Sequence, residues 1–157
     1  MATLHLMVGL PCAGKTMLAK KIEQECSCLR LTPDEWIERL FGAIVAADVL
    51  DAARDPMKAL LWDVAAKVLK MGGDVILDFG FWSRAERDTF RERATKLDAR
   101  CVVHFAKVSQ AELLRRLRER NARLPSGCFR IDEERVKSWS KMFEPPTDAE
   151  LRLNDAG

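Results

Sequence analysis

The chain has 157 residues, which is enough for one domain with a proper hydrophobic core. Apolar residues make up 48% of it, charged residues 32%, and the formal net charge is +2, so composition gives no global attraction to nucleic acid or to a membrane. No apolar run is long enough to span a membrane. The first strand begins so early that we expect no signal peptide, and therefore a cytoplasmic protein.

The first predicted strand and helix enclose the most informative motif of the chain. A buried strand over residues 3–8 leads to a helix over residues 17–25, and the turn between them reads Gly9-Leu10-Pro11-Cys12-Ala13-Gly14-Lys15-Thr16. This is the G-x-x-x-x-G-K-[ST] spacing of a loop that wraps the phosphates of a nucleoside triphosphate. The two glycines let the main chain approach an anion closely. Lys15 would reach the β- and γ-phosphates, and the hydroxyl of Thr16 would hold Mg²⁺.

An acidic residue follows the second predicted strand, Leu29–Leu31. A capping box that begins at Thr32 predicts the next helix, and Asp34 lies in its first turn. The carboxylate of Asp34 could simply complement the helix dipole. Alternatively, it could accept the proton of an acceptor hydroxyl near the γ-phosphate, as a kinase requires. We favour the catalytic base because this turn and Lys15 point to the same edge of the predicted sheet.

The third predicted strand, Val75–Asp78, is apolar until its last residue. A carboxylate in this position is the Walker-B pattern, in which it assists Mg²⁺. We therefore expect Asp78 to act with Thr16, the alternative being an aspartate that only caps a turn. The aromatic run that follows, Phe79 to Trp82, could form a shelf for the acceptor or pack against the next helix.

The rest of the chain continues the alternation of helices and strands. Residues 42–54 have no regular pattern, and Asp55-Pro56 predicts the start of a long helix that ends near residue 70. We further expect helices over residues 83–97, from residue 109 onward and over 132–143, a strand over 100–105, a loop over 123–131, and a mobile tail after residue 146. Strands that alternate with helices predict a parallel sheet covered on both faces, with its ligand at the carboxyl edge of the strands.

Arginines crowd the helix after the fourth strand and the loop that follows it: Arg115, Arg116, Arg118, Arg120, Arg123 and Arg130. Most of them should form a solvated face, because glutamates lie among them. The loop could also close over ATP as a lid, and an arginine from it would neutralise charge as the phosphoryl group moves. Arg120 and Arg123 are the candidates for this role.

The phosphate loop, Asp34, Asp78 and the Arg-rich lid together resemble small P-loop kinases. The similarity is to the group that contains polynucleotide 5′-hydroxyl kinases, chloramphenicol phosphotransferase, zeta-type toxins and many short proteins labelled AAA-family ATPases. The motifs that carry it are the phosphate loop, Thr-Pro-Asp-Glu-Trp, Leu-Asp-Phe-Gly-Phe-Trp-Ser-Arg-Ala-Glu-Arg and Arg-Glu-Arg-Asn-Ala-Arg.

This resemblance implies an α/β, three-layer P-loop NTPase fold with a parallel sheet of four or five strands in the order 2-3-1-4 and an Arg-bearing lid. The kinase domain would span residues 1–146, and residues 147–157 would form a C-terminal tail. The resemblance also implies ATP and Mg²⁺ as cofactors, Asp34 as the general base, and a lid arginine near Arg120 or Arg123.

Two departures from polynucleotide kinases bear on the acceptor. Ile37 stands where those enzymes often have an arginine that grips a nucleic-acid phosphate, and the run from Phe79 to Trp82 replaces small polar residues. We therefore expect an ATP- and Mg²⁺-dependent phosphotransferase acting on a hydroxyl of a small molecule, such as a metabolite or antibiotic. The alternatives are a polynucleotide 5′-hydroxyl kinase and a nucleotide-dependent switch without an acceptor. We expect a monomer or a weak homo-oligomer.

Overall fold

A computed structural model of the protein describes residues 1–42, 46–124 and 129–155. The strands are β1 (Thr3–Val8), β2 (Leu29–Leu31), β3 (Val75–Gly80) and β4 (Arg100–Phe105). The helices are α1 (Lys15–Cys26), α2 (Pro33–Phe41), α3 (Ala47–Lys70), α4 (Arg84–Thr95), α5 (Gln110–Arg123), α6 (Glu133–Met142) and α7 (Asp148–Arg152), and a 3-10 turn covers Leu153–Asp155. Within these ranges, no helix is long and apolar enough to cross a membrane.

The four strands form one parallel sheet in the order β2-β3-β1-β4, which confirms the predicted fold and strand order. Leu6 at the centre of β1 pairs with Leu77 of β3 on one side and with Val103 of β4 on the other. All three side chains are almost completely buried. This register brings the carboxyl ends of β1 and β3 side by side, so the segments that leave them meet at one edge of the sheet.

Helices cover both faces of the sheet. On one face, the even-numbered residues of β1, such as Leu4 and Leu6, pack in the main core with side chains of α3 and α4. On the other face, Met7 of β1 and Ile76 of β3 pack against Ala19 and Ile22 of α1. Alternate residues of a strand lie on one face of the sheet, and residues three or four apart lie on one face of a helix. The core therefore lies where the apolar pattern of the sequence predicts it.

The expected start of the long helix at Asp55-Pro56 is wrong, because α3 begins at Ala47 and carries Pro56 in its interior. Pro56 has no N–H to donate to the carbonyl of Ala52, and it would normally break a helix. Here both residues are exposed, so water can satisfy that carbonyl. The opposite face of the helix is fixed by buried side chains that include Leu50 and Met57. Residues 43–45 of the segment that we expect to be irregular lie outside the described residues.

The expectation of a mobile tail after residue 146 is wrong as far as residue 155. Glu150 of α7 is 1% exposed and forms a double ion pair with Arg87 of α4, at 2.6 and 3.1 Å. The side chain of Asn154 pairs with both main-chain groups of Val103, at 2.8 Å each, along the outer edge of β4. The segment thus covers the open edge of the sheet, where unpaired main-chain groups would otherwise remain.

The aromatic run packs against the next helix and does not form an open shelf. Phe79 and Phe81 are buried and stack with centroids 5.5 Å apart, and both meet the ring of Phe90 of α4 edge-on. Trp82 is half-buried, and its indole Nε1 donates to the carbonyl of Gly9 at 3.3 Å. The run therefore anchors β3 to α4 and braces the start of the phosphate loop.

Candidate active site

The phosphate loop lies between β1 and α1 with the backbone that its sequence requires. Gly9 and Gly14 have φ angles of +152° and +94°, in the region that favours glycine. A Cβ on Gly9 would lie 3.2 Å from the carbonyl oxygen of Ala106, so a larger residue would also crowd the end of β4. The N–H of Gly9 donates to the carbonyl of Gly80 at 3.0 Å, which ties the loop to the end of β3.

Lys15 closes over the loop from the first turn of α1. Its Nζ donates to the carbonyl of Leu10 at 2.8 Å, so the side chain folds back across the loop. Burial lowers the pKa of Lys15, and the negative charges of Asp78 and Asp34 partly oppose that shift. The ammonium therefore lies within the electrostatic reach of both predicted carboxylates, although the three residues are far apart in sequence.

Asp78 forms the centre of a hydroxyl and carboxylate cluster at the end of β3. Its Oδ2 accepts hydrogen bonds from the hydroxyl of Thr16 at 2.7 Å and from the hydroxyl of Thr32 at 3.3 Å. Asp78 is 6% exposed, and in the part of the chain that the structure describes its Oδ1 has no hydrogen-bond partner. A buried carboxylate oxygen without a partner is costly. A hydroxyl and a carboxylate with a vacant oxygen are the hard ligands that suit Mg²⁺, so these residues fit that ion.

Thr32 differs in its contacts from the helix cap that its capping box predicts. It stands at the N-cap position of α2, but its side chain makes no capping hydrogen bond. Its hydroxyl instead donates to Asp78 and accepts from Nη1 of Arg30 at 2.6 Å. By contrast, Ser83 and Ser109 do cap α4 and α5, since their hydroxyls accept from the N–H groups of Glu86 and Glu112. A capping pattern alone does not reveal that a threonine is needed elsewhere.

Asp34 lies in the first turn of α2 as predicted. Its side chain is 32% exposed, and its Oδ1 lies 3.5 Å from Nε of Arg54 on α3. The carboxylate is thus open to solvent on one side and held by a guanidinium on the other. An exposed carboxylate close enough to influence Lys15 has the placement that a base for an incoming hydroxyl would need.

The two predicted lid arginines differ in their surroundings. Nη1 of Arg120 lies 3.5 Å from the sulfur of Cys12 in the phosphate loop, and Nη2 donates to the carbonyl of Phe129 at 2.9 Å. Arg123 is exposed at the end of α5 and makes no hydrogen bond to the phosphate loop within the described ranges. Residues 125–128, in which we expect a loop, lie outside the described residues.

Arg116 also contacts the phosphate loop, although it is not one of the two predicted lid arginines. Its Nη1 lies 3.5 Å from the carbonyl oxygen of Cys12 and 3.5 Å from the position that a Cβ on Gly14 would take. Its Nε donates to Glu112 at 2.7 Å, and hydrogen bonds from Arg115 and Arg116 lower the pKa of Glu112 to about 2. Arg116 precedes Arg120 by four residues, so both lie on one face of α5. The four-residue spacing from Arg120 is the feature of the sequence that could have identified Arg116 as a candidate.

The family comparison agrees with this geometry. A family model described as an AAA domain, AAA_33, matches residues 4–146, a range that includes every predicted site residue. The chain belongs to this family. None of the curated proteins matches the sequence.

Solved structures share the fold at low sequence identity. A chain of the Pnkp1/Rnl/Hen1 RNA repair complex aligns with a TM-score of 0.72 at 18% identity, over 99% of this chain and 45% of that chain. Kti12 from Chaetomium thermophilum in complex with ADP-AlF3 aligns with a TM-score of 0.70 at 19% identity, over 93% and 82%. A gluconokinase from Sinorhizobium meliloti aligns with a TM-score of 0.60 at 17% identity, over 99% and 90%. At these identities, the likeness shows the P-loop kinase-like fold alone.

Proposed function

We propose that the protein is an ATP- and Mg²⁺-dependent phosphotransferase that acts on a hydroxyl group of a small molecule. The observation that carries the proposal is the hydrogen bond from Thr16 to Asp78, whose Oδ1 has no partner among the described residues. The ammonium of Lys15 interacts with the negative charges of both Asp78 and Asp34. A phosphate-binding loop, a place for a divalent cation and a separate exposed carboxylate are the three parts that phosphoryl transfer to a hydroxyl requires.

Each residue then has a defined task. The main-chain amides of the loop and the ammonium of Lys15 bind the β- and γ-phosphates, and Lys15 gives up its hydrogen bond to Leu10 when they arrive. Thr16 and Asp78 hold Mg²⁺, which supplies charge neutralisation for the phosphates when it is bound. Asp34 takes the proton of the acceptor hydroxyl. The oxygen of that hydroxyl forms a bond to the γ-phosphorus, while the bond between this phosphorus and the bridging oxygen of the leaving ADP breaks.

Arg120 is the preferred lid arginine in this proposal. It already touches the phosphate loop, and its buried Nε has no hydrogen-bond partner among the described residues, so a donor is left for a phosphate oxygen. Arg116 is the second candidate for contact with the nucleotide because it lies against Cys12 and Gly14. Arg123 remains a predicted candidate for a positive charge that would approach the phosphates when the lid closes.

Two observations favour a small acceptor over a polynucleotide. Ile37 is fully buried in the core, so α2 offers no cation at the position where polynucleotide kinases often grip a phosphate. Several arginines of α5 are already paired: Arg115 with Glu112 and Glu119, and Arg118 with Glu133. The arginine-rich surface of α5, which could otherwise attract a nucleic acid, is therefore largely neutralised. The gluconokinase of the same fold is named for a small acceptor, which is consistent with this choice.

The polynucleotide 5′-hydroxyl kinase remains the second candidate, because a chain of an RNA repair complex has the same fold. The two candidates differ in how their reactions depend on salt. Transfer to an oligonucleotide with a 5′-hydroxyl end should weaken steeply as salt rises, whereas transfer to a small molecule should not. Transfer to the oligonucleotide at rates above those for small molecules would replace the first candidate by the second.

The test of the proposed function is a product screen with a matched pair of variants. The protein is incubated with ATP, Mg²⁺ and a mixture of hydroxyl-bearing metabolites and antibiotics, and mass spectrometry identifies a compound that gains one phosphate. Asp34→Asn should lower the rate of product formation by about 10²–10⁴ while ATP binding survives. Glu38→Gln, one turn further along α2, is the control and should retain the rate. An unchanged rate in the Asp34 variant would remove the assigned base.

A further inference from the structure

Two arginines from different helices converge on one carboxylate beside Asp34. Nη1 of Arg54 on α3 donates to Oδ1 of Asp51 at 3.0 Å. Nη2 of Arg135 on α6 donates to both oxygens of Asp51, at 3.1 and 2.8 Å. We call Arg54 and Arg135 the arginine pair. A carboxylate held by two guanidiniums is a common arrangement for recognising anions in proteins.

The arginine pair is close to the predicted base. Nε of Arg54 lies 3.5 Å from Oδ1 of Asp34, so one guanidinium faces both Asp34 and Asp51. An anion in the place of the Asp51 carboxylate would therefore lie within roughly 9 Å of the Asp34 carboxylate, which is the sum of these two contact distances and the width of a guanidinium. One small molecule that carries a hydroxyl and an anionic group a few bonds apart can bridge this separation.

The position of Arg135 is fixed relative to the phosphate loop. Its guanidinium lies over the ring of Trp139, 4.9 Å from the centroid, and Trp139 packs against Trp82 with centroids 5.4 Å apart. Trp82 in turn donates to the carbonyl of Gly9. A chain of packed aromatic rings thus connects the arginine pair to the loop, so an anion bound there would have a defined place relative to the γ-phosphate.

The charges and exposures indicate that Asp51 can be displaced. The side chain of Asp51 is 49% exposed, whereas those of Arg54 and Arg135 are 27% and 33% exposed. Exposed ion pairs are weak, so Asp51 can turn toward water at little cost. Arg54 then keeps only Asp34 as a counter-charge, and Arg135 has no carboxylate partner among the described residues, which leaves one positive charge in excess. That excess matches an acceptor with an anionic group.

We propose that the arginine pair binds an anionic group of the acceptor, and that Asp51 occupies this site when the acceptor is absent. The inference rests on the proposed function and names its substrate class: a small molecule that carries the reacting hydroxyl within a few bonds of a carboxylate or a phosphate. A neutral alcohol cannot replace Asp51, so it is a poor acceptor. Arg54 and Arg135 are therefore specificity-determining residues.

The test measures anion binding directly, since it does not require the natural acceptor. The phosphate loop is saturated with a nonhydrolysable ATP analogue and Mg²⁺. D-Glycerate, glycerol 3-phosphate and glycerol are then titrated at constant ionic strength and followed by ligand-observed NMR. Asp51→Asn should bind the two anions up to about fivefold more tightly than the wild type, because the internal competitor is gone. Glycerol should bind equally weakly to both proteins.

Variants of the arginine pair complete the experiment. In the Asp51→Asn background, Arg54→Gln and Arg135→Gln should each weaken anion binding about tenfold, as expected for the loss of a charged hydrogen bond. Arg118→Gln, which removes another arginine that pairs with α6, is the matched control and should change nothing. Tighter binding of glycerate than of glycerol 3-phosphate would assign a carboxylate, and the reverse a phosphate.

The inference and the proposed function fail in different ways. Equal binding of the anions and glycerol by Asp51→Asn, or unchanged anion binding after loss of either arginine, would overturn the inference. The same titration without nucleotide, and a melting curve with the ATP analogue, separate the two claims. Anion binding without any effect of the analogue would retain the arginine pair and contradict the proposed function.

Discussion

At the scale of single residues, Asp78 is the most informative side chain of the site. One of its oxygens accepts from the hydroxyls of Thr16 and Thr32, while the other is buried without a partner in the described part of the structure. An aspartate that only capped a turn would have both oxygens satisfied or exposed. The arrangement is the one expected of a carboxylate that awaits a cation.

Replacing Asp78 by asparagine tests that interpretation. The amide side chain would keep the shape and could still accept from Thr16, but it would lack the charge that attracts Mg²⁺. We expect Asp78→Asn to weaken Mg²⁺-dependent nucleotide binding by about 10–100-fold. Binding of ATP in EDTA should change little. Calorimetric titration of ATP with and without Mg²⁺ measures both quantities.

The control for this variant is Asp74→Asn. Asp74 precedes the amino end of β3 and accepts from the N–H of Thr3 at 2.7 Å, so it lies at the opposite edge of the sheet. The Asp74→Asn variant should not alter the effect of Mg²⁺ on nucleotide binding. An equal response of the two variants to Mg²⁺ would show that Asp78 has no special relation to the ion.

The phosphate loop is predictable from the sequence because its residue types have a fixed spacing. Contacts between elements that are distant in the sequence are not predictable in this way. The phosphate loop predicted the positions of Lys15 and Thr16 because each step of a strand-turn-helix is short and rigid. The hydrogen bond of Thr32 to Asp78 joins residues 46 positions apart, and no local pattern carries it. The contact of Arg116 with the loop required knowing which face of α5 turns inward.

At the scale of elements, the two wrong expectations have related causes. Pro56 predicts a helix start, but its missing hydrogen bond falls on the exposed face of α3, where water can satisfy the carbonyl of Ala52. We expect a mobile tail after residue 146, but Glu150 pairs with the buried side chain of Arg87. In both cases a tertiary contact or the solvent decided the outcome, and local propensity did not.

The Arg87–Glu150 pair should be essential for the docking of α7. Arg87 and Glu150 are both about 1% exposed, and Nη1 of Arg87 also donates to the carbonyls of Phe81 and Glu144. Glu150→Gln would leave the buried guanidinium without a counter-charge, which should reduce the free energy of unfolding by about 3–5 kcal/mol. Urea denaturation measures the change.

The exposed pair of Arg118 and Glu133 supplies the comparison for Glu150. Glu133→Gln removes the same charge from a solvated position, and it should cost only a small fraction of the Glu150 effect. Similar losses in the two variants would mean that burial does not determine the strength of the Arg87–Glu150 pair. Such a result would also weaken the conclusion that the C-terminal segment is part of the folded structure.

At the scale of the whole molecule, the strand order determines the site. The order β2-β3-β1-β4 places β1 and β3 next to each other and β2 beside β3. The phosphate loop, Asp78 and the turn before Asp34 therefore leave one edge of the sheet. Alternation of strands and helices in the sequence predicts this convergence, because parallel strands with right-handed crossovers have few alternatives. The sequence pattern does not predict how α6 crosses to meet α3 through Arg135 and Asp51.

The stability of the whole molecule should fall in mild acid partly because of a histidine pair in the sheet. The ring nitrogens of His5 and His104 lie 2.9 Å apart, and one donates to the other. Burial, with a contribution from His5, lowers the pKa of His104 to about 4. In the unfolded chain, His104 binds a proton below its ordinary pKa of about 6.5, whereas in the folded protein its imidazole stays neutral until about pH 4. Stability is therefore lost as the pH falls through this window.

The size of the effect is about 1–2 kcal/mol, because His104 is only partly buried and solvent screens part of the interaction. His104→Gln keeps a hydrogen-bonding group but removes the titration. The free energy of unfolding of the wild type should drop more steeply between pH 6.5 and 4 than that of the variant. Parallel curves for the two proteins would contradict the assignment to His104.

The most direct test of the central claim is the melting temperature of the protein with ATP and Mg²⁺. At a ligand concentration a hundredfold above the dissociation constant, binding should stabilise the fold by about 2.7 kcal/mol, or about 5–10 °C for a chain of this size. Lys15→Ala should lose the shift because it removes the ammonium from the phosphate loop. A wild-type protein that melts at the same temperature with and without ATP and Mg²⁺ would contradict the account.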